Sequence, residues 1–166
     1  MVDDDHNGVP LEFRGVSYRY DSIDALEDIS FGVSERDFVA ILGPNGSGKT
    51  TLVRLALGLA APTSGDVLLF GTPATKFDRW ELVGYVPQSV EGIHTQFPAT
   101  VQEIVTQGLY RGFDPVGFWR RGDKEAVGRS METVGIADLA RRRISSLSLG
   151  QQQRTLIARG LVRRPR

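Results

Sequence analysis

Residues 43–50 read Gly-Pro-Asn-Gly-Ser-Gly-Lys-Thr, and no other stretch restricts the possible folds of this chain so sharply. The run follows a short apolar segment, Phe38-Val-Ala-Ile-Leu42. It opens a helical pattern over Thr50–Leu59, in which Leu52, Leu55, Ala56 and Leu59 share a face. Strand, glycine-rich turn and helix start, in that order, build a cradle for phosphate. The glycines let successive N–H groups converge as an anion nest, and the helix N-terminus adds partial positive charge. Arginine fills 17 of the 20 basic positions, yet position 49 is lysine. A compact ammonium fits inside such a loop where a planar guanidinium does not. Gly43, Pro44, Asn45, Gly46, Ser47 and Gly48 are therefore read as the cradle. Lys49 is expected on the β- and γ-phosphates, the Thr50 hydroxyl on Mg²⁺, and Thr51 on the α-phosphate.

The remaining pattern is strand-rich first and helical later. Leu11, Phe13, Val16, Tyr18 and Tyr20 recur at spacings of two, with Gly15 shifting the phase, which predicts a bulged strand over 11–20. Ala25–Val33 reads as its returning partner, and Phe38–Leu42 as a buried strand. The helix after the loop is expected to stop at Ala61-Pro-Thr-Ser-Gly65, followed by a strand over Asp66–Phe70 and by an apolar stretch over Leu82–Val86 that ends at Pro87-Gln88. Beyond Gln88 the period becomes helical, over 100–110 and 123–143, around a loop at 112–122. Thr100 with Glu103 three residues on predicts a capping box.

Charge and length narrow the class of molecule. At 166 residues the chain suits one domain of the usual ~100–200 residues. No apolar run approaches the ~18 residues that span a bilayer, and the acidic start Met-Val-Asp-Asp-Asp-His is unlike a secretory signal, so a cytoplasmic location is expected. The absence of cysteine excludes a disulfide framework. Formal net charge is zero, but residues 139–166 hold 8 arginines and no acid. Those arginines alternate with helical apolar positions, so a solvated or partner-facing helix surface is favoured over nucleic acid.

Three stretches in order carry a family resemblance: Gly43–Thr51, Gly84-Tyr-Val-Pro-Gln88 and Leu147-Ser-Leu-Gly-Gln151-Gln-Gln-Arg154, with Tyr20 ahead of the second strand. Together they resemble the first two-thirds of an ABC transporter nucleotide-binding subunit. The resemblance implies an α/β fold: a P-loop NTPase core of ABC type with an N-terminal antiparallel β subdomain and a helical insert, its C-terminal part missing. The expected divisions are 1–88 for β subdomain and core, 89–146 for the helical subdomain, and 147–166 for the signature motif and its helix. It also implies that the ligand is ATP with Mg²⁺, and that Tyr20 stacks on adenine. Gln88 is implied to reach Mg²⁺ and the attacking water, and Ser148, Gly150 and Gln151 to close over the ATP of a second subunit in a head-to-tail homodimer. The usual signature has glycine where Leu149 stands, so either the leucine points away or closure is impaired.

The segment Phe97-Pro-Ala-Thr-Val-Gln-Glu-Ile-Val105 is similar to importers of zinc, manganese or chelated iron. The implied setting is peripheral, on the cytoplasmic face of the membrane. The partners would be permease subunits and, indirectly, a solute-binding protein. A soluble ABC-class ATPase of DNA repair or translation is the alternative; its zinc modules or coiled coils have no counterpart between Gln88 and Ser148. A third reading is a non-hydrolysing fragment. In the family an apolar strand ending Asp-Glu follows the signature helix, and here no acid occurs after Asp138. The switch histidine is also missing, and His6 and His94 are assigned no role. Binding with little or no turnover is therefore expected.

Overall fold

The computed structural model describes residues 9–88, 98–110 and 122–166. They gather into two compact units, one extending to Asp78 and one beginning at Arg79.

The first unit is built on a four-stranded antiparallel sheet in the order β2-β1-β3-β4, comprising β1 (Leu11–Tyr20), β2 (Ile23–Val33), β3 (Ser64–Leu69) and β4 (Thr72–Pro73). Phe13 faces Phe31 on one side and Val67 on the other, and the register slips between Phe13 and Val16. The slip is the bulge expected at Gly15, whose N–H donates to Ser30 Oγ at 2.8 Å, so the residue squeezed out of the ladder keeps a partner. Phe13 and Val16 are buried, with Phe13 stacked on Phe31 at 4.8 Å between centroids. Each such burial contributes about 1.5–3 kcal/mol.

Leu52 and Leu55 add the inner face of α1 (Lys49–Ala56) to this core. The helix ends earlier than its apolar pattern suggests. Gly58 takes φ +63°, its N–H bonding Leu55 O at 3.0 Å and the Leu59 N–H bonding Arg54 O at 2.9 Å. That pair of bonds is a Schellman stop, and it leaves Leu59, expected on the apolar face, in solvent.

The expected strand Phe38–Leu42 is absent among the described residues, and the apolar stretch Leu82–Val86 joins no sheet. Phe38–Leu42 is irregular, with Phe38 95% and Leu42 89% exposed. Leu82–Val86 begins in the 3-10 turn Trp80–Leu82 and runs on extended without a ladder. An apolar run becomes a buried strand only where neighbours complete its hydrogen bonds, and the sheet order includes neither segment.

The second unit packs α2 (Val101–Thr106), α3 (Asp123–Thr133) and α4 (Leu149–Leu161) around Val101, Ile104, Val105, Val127, Met131, Ile136, Ile144 and Leu156. The predicted capping box opens α2. Thr100 N–H donates to Glu103 Oε2 at 2.7 Å, and Glu103 N–H returns to Thr100 Oγ1 at 3.3 Å. These bonds from Thr100 hold the Glu103 carboxyl below its usual value. Residues 99–101 then pair with 142–144, through Val101 N–H to Arg142 O at 3.0 Å and Ile144 N–H to Ala99 O at 2.9 Å. No helix among the described residues is long and apolar enough to cross a membrane.

Candidate nucleotide site

In the first unit the Gly43–Thr51 segment forms an open loop that ends in α1. Gly48 is the cap residue at φ +82°, and no side chain caps the helix. A Cβ at Gly48 would meet Ala25 O at 2.5 Å and Leu26 Cδ2 at 2.8 Å, so both backbone shape and space require glycine. The first turn of α1 holds no acidic residue. The helix N-terminus therefore keeps its attraction for an anion. Lys49 Nζ turns back into the loop and donates to Gly43 O at 2.8 Å and Pro44 O at 2.6 Å, with Ser47 Oγ at 3.5 Å. The ammonium thus stands on the loop that is expected to hold phosphate.

Tyr20, at the end of β1, is 40% exposed and meets Tyr18 edge-on at 4.8 Å. Its hydroxyl accepts from Thr51 Oγ1 at 3.5 Å, the long limit of a hydrogen bond. The structure thus brings together the expected adenine-facing ring and the last threonine of the loop. Thr50 supplies a hydroxyl beside Lys49 on the first turn of α1. Among the described residues no cluster of three His, Cys, Asp or Glu side chains could hold a metal alone. The Thr50 hydroxyl is a hard oxygen donor of the kind that would suit a Mg²⁺ brought in with phosphate.

The other expected residues lie in the second unit. Gln88 is exposed in a bend after Pro87. Ser148 is the N-cap of α4, and with Gln151 it makes a reciprocal cap. Ser148 N–H donates to Gln151 Oε1 at 3.1 Å, and Gln151 N–H donates to Ser148 Oγ at 3.4 Å. Gly150 is exposed on the first turn, and Leu149 beside it projects into solvent, 69% exposed. The signature serine and glutamine are thus one local device. Their spacing, Ser-x-x-Gln, is also a capping-box spacing that the sequence displays.

Gln152 is not among the site residues that the sequence motifs mark. It is only 9% exposed, and its Nε2 donates to Ile144 O and Leu147 O, both at 3.1 Å. The available signal was a glutamine four residues before Leu156 on the inward stripe of α4. Elsewhere in this unit a cleft of 520 Å³ lies among Trp80, Tyr85, Gln107, Tyr110, Arg159 and Arg163. None of the expected site residues lines it.

The family described as ABC transporter matches residues 26–166. The zinc uptake system ATP-binding protein ZurA of Listeria innocua is 41% identical over 155 residues, covering 93% of this chain and 60% of that protein. The manganese transport system ATP-binding protein MntB of Bacillus subtilis is 37% identical over 152 residues, covering 92% of this chain and 60% of that protein. Among solved structures, cbiO1 from Clostridium perfringens, part of the ABC transporter complex cbiONQ, superposes with a TM-score of 0.79 at 29% identity. That match covers 96% of this chain and 63% of the other. The chain therefore spans about 60% of the length of these relatives.

Proposed function

This chain belongs to the ABC transporter family of ATP-binding proteins, matched over residues 26–166, and on that premise we propose that it is the nucleotide-binding part of a metal-ion importer. The observation that carries this reading is the uncapped start of α1, with Lys49 already seated on the Gly43 and Pro44 carbonyls. Gly43, Pro44, Asn45, Gly46, Ser47 and Gly48 surround the phosphates, Lys49 exchanges its carbonyl partners for β- and γ-oxygens, and Thr51 meets the α-phosphate. Tyr20 offers an aromatic face to the base. Thr50 and Gln88 are the residues that would hold Mg²⁺, which would neutralise phosphate charge.

Ser148, Gly150 and Gln151 close on the nucleotide of a second copy, and the residues after Gln88 pass that closure to permease subunits on the cytoplasmic face of the membrane. A solute-binding protein engages the complex through the permease. The metal cargo is read from the names of the relatives, which include zinc and manganese systems.

The test is titration of fluorescent ATP with Mg²⁺ against the chain and Lys49→Ala. Loss of one charge-assisted phosphate contact weakens binding by at least about tenfold. Equal affinity for both proteins would refute the loop as the site.

A further inference from the structure

We propose that Gln152 is a positioning residue that sets the signature serine, Ser148, for its contact with a second copy's nucleotide. The inference rests on the nucleotide-sandwich reading given above and assigns a role to a residue outside the signature itself.

The geometry is specific. Ile144 O and Leu147 O lie at the beginning and just past the end of the 3-10 turn Ile144–Ser146. Gln152 Nε2 donates to both, each at 3.1 Å, and the Gln152 backbone N–H donates to Ser148 O at 2.9 Å. The Gln152 side chain therefore grips the chain at 144 and 147, next to Ser148, whose carbonyl takes the ordinary first helical bond from the Gln152 backbone. The turn itself is anchored, because Ile144 N–H donates to Ala99 O at 2.9 Å, beside the Thr100 cap of α2. Gln152 thus connects the signature helix to the segment that opens the helical insert.

The consequence falls on Ser148. Its carbonyl accepts from Gln152 N–H, its amide donates to Gln151 Oε1, and its Oγ accepts from Gln151 N–H. The hydroxyl proton is the one donor of Ser148 that the cap does not use. A serine whose backbone is fixed on both sides offers that proton from one place, without a search over backbone angles when phosphate arrives. An apolar residue of the same length at 152 would fill the space and leave two buried carbonyls without this donor. The stripe that Gln152 shares with Thr155, Leu156 and Ala158 would accept such a residue, so volume alone does not explain the amide.

The experiment compares the chain with Gln152→Met, which keeps length and removes the donors. Three readouts are used: amide hydrogen exchange at Gln151, MgATP affinity of the monomer, and MgATP-driven dimerisation by sedimentation. Exchange at Gln151 is expected to rise about tenfold, and the dimer dissociation constant to rise by a similar factor, with monomer affinity for MgATP unchanged. Unaltered exchange at Gln151 overturns the proposal, as does an equal loss of monomer affinity, which would mark general damage. Should Gln152→Met fail to fold, Gln152→Lys, which keeps a donor of similar reach, is expected to fold with wild-type exchange at Gln151. Rapid exchange there overturns the proposal. If the unaltered chain does not dimerise with MgATP, the sandwich reading is what fails, and the exchange comparison still decides whether Gln152 holds Ser148.

Discussion

Glycine at position 48 does two jobs that no other residue type can share: it takes φ +82°, and its missing Cβ admits Ala25 O and Leu26. Gly48→Ala is therefore expected to cost about 1–3 kcal/mol and to weaken MgATP binding, read by thermal melting with and without nucleotide. Addition of nucleotide should raise the melting temperature of the variant less than that of the parent. The Gly43–Thr51 loop and the start of α1 were legible in the sequence because they are local: these residues are neighbours along the chain, and glycine placement sets where the helix begins. Tyr20 and Ser148 needed the family resemblance to receive a role. Gln152 was legible only as a polar residue on the inward stripe of α4; its partners at 144 and 147 are bound only when the turn folds back on that helix.

Among the elements, strands that find a ladder partner and a cap whose partners are close in sequence agree with expectation, and apolar runs without a ladder do not. The bulged hairpin β1–β2, strand β3 and the Thr100–Glu103 cap follow from alternation, glycine placement and a three-residue spacing. Phe38–Leu42 and Leu82–Val86 have the composition of strands but lack ladder partners among the described residues, and composition cannot supply a partner. The cap makes a pH prediction. Glu103 titrates below its unfolded value because Thr100 donates to the carboxylate, so its contribution is fully present above the unfolded value and is lost as pH falls through the folded one. Amide protection in the first turn of α2 should accordingly fall as the solution is made acid below the ordinary glutamate range. In Glu103→Gln that dependence should flatten, and an unchanged profile would show that other groups control the end of this helix.

At the scale of the whole chain, the first unit exposes an apolar run that its sheet leaves uncovered. Phe38 and Leu42 lie almost wholly in solvent, and Val39 and Ile41 are also exposed. Contiguous exposed apolar groups favour association. The chain is expected to show concentration-dependent self-association in sedimentation velocity without nucleotide, reduced in the double variant Phe38→Asp, Leu42→Asp. This association is separable from the nucleotide-driven dimer, because it should not respond to MgATP or to Gln152→Met. Equal sedimentation of parent and double variant at every concentration would show that the run does not drive contact.

The resting place of Lys49 has a calorimetric consequence. With its ammonium on the Gly43 and Pro44 carbonyls, the loop is held by a charge it carries itself, and an arriving phosphate displaces those bonds before making its own. The heat released when nucleotide binds is then a difference between two sets of charge-assisted bonds. A modest enthalpy beside a firm affinity would be the mark of that exchange.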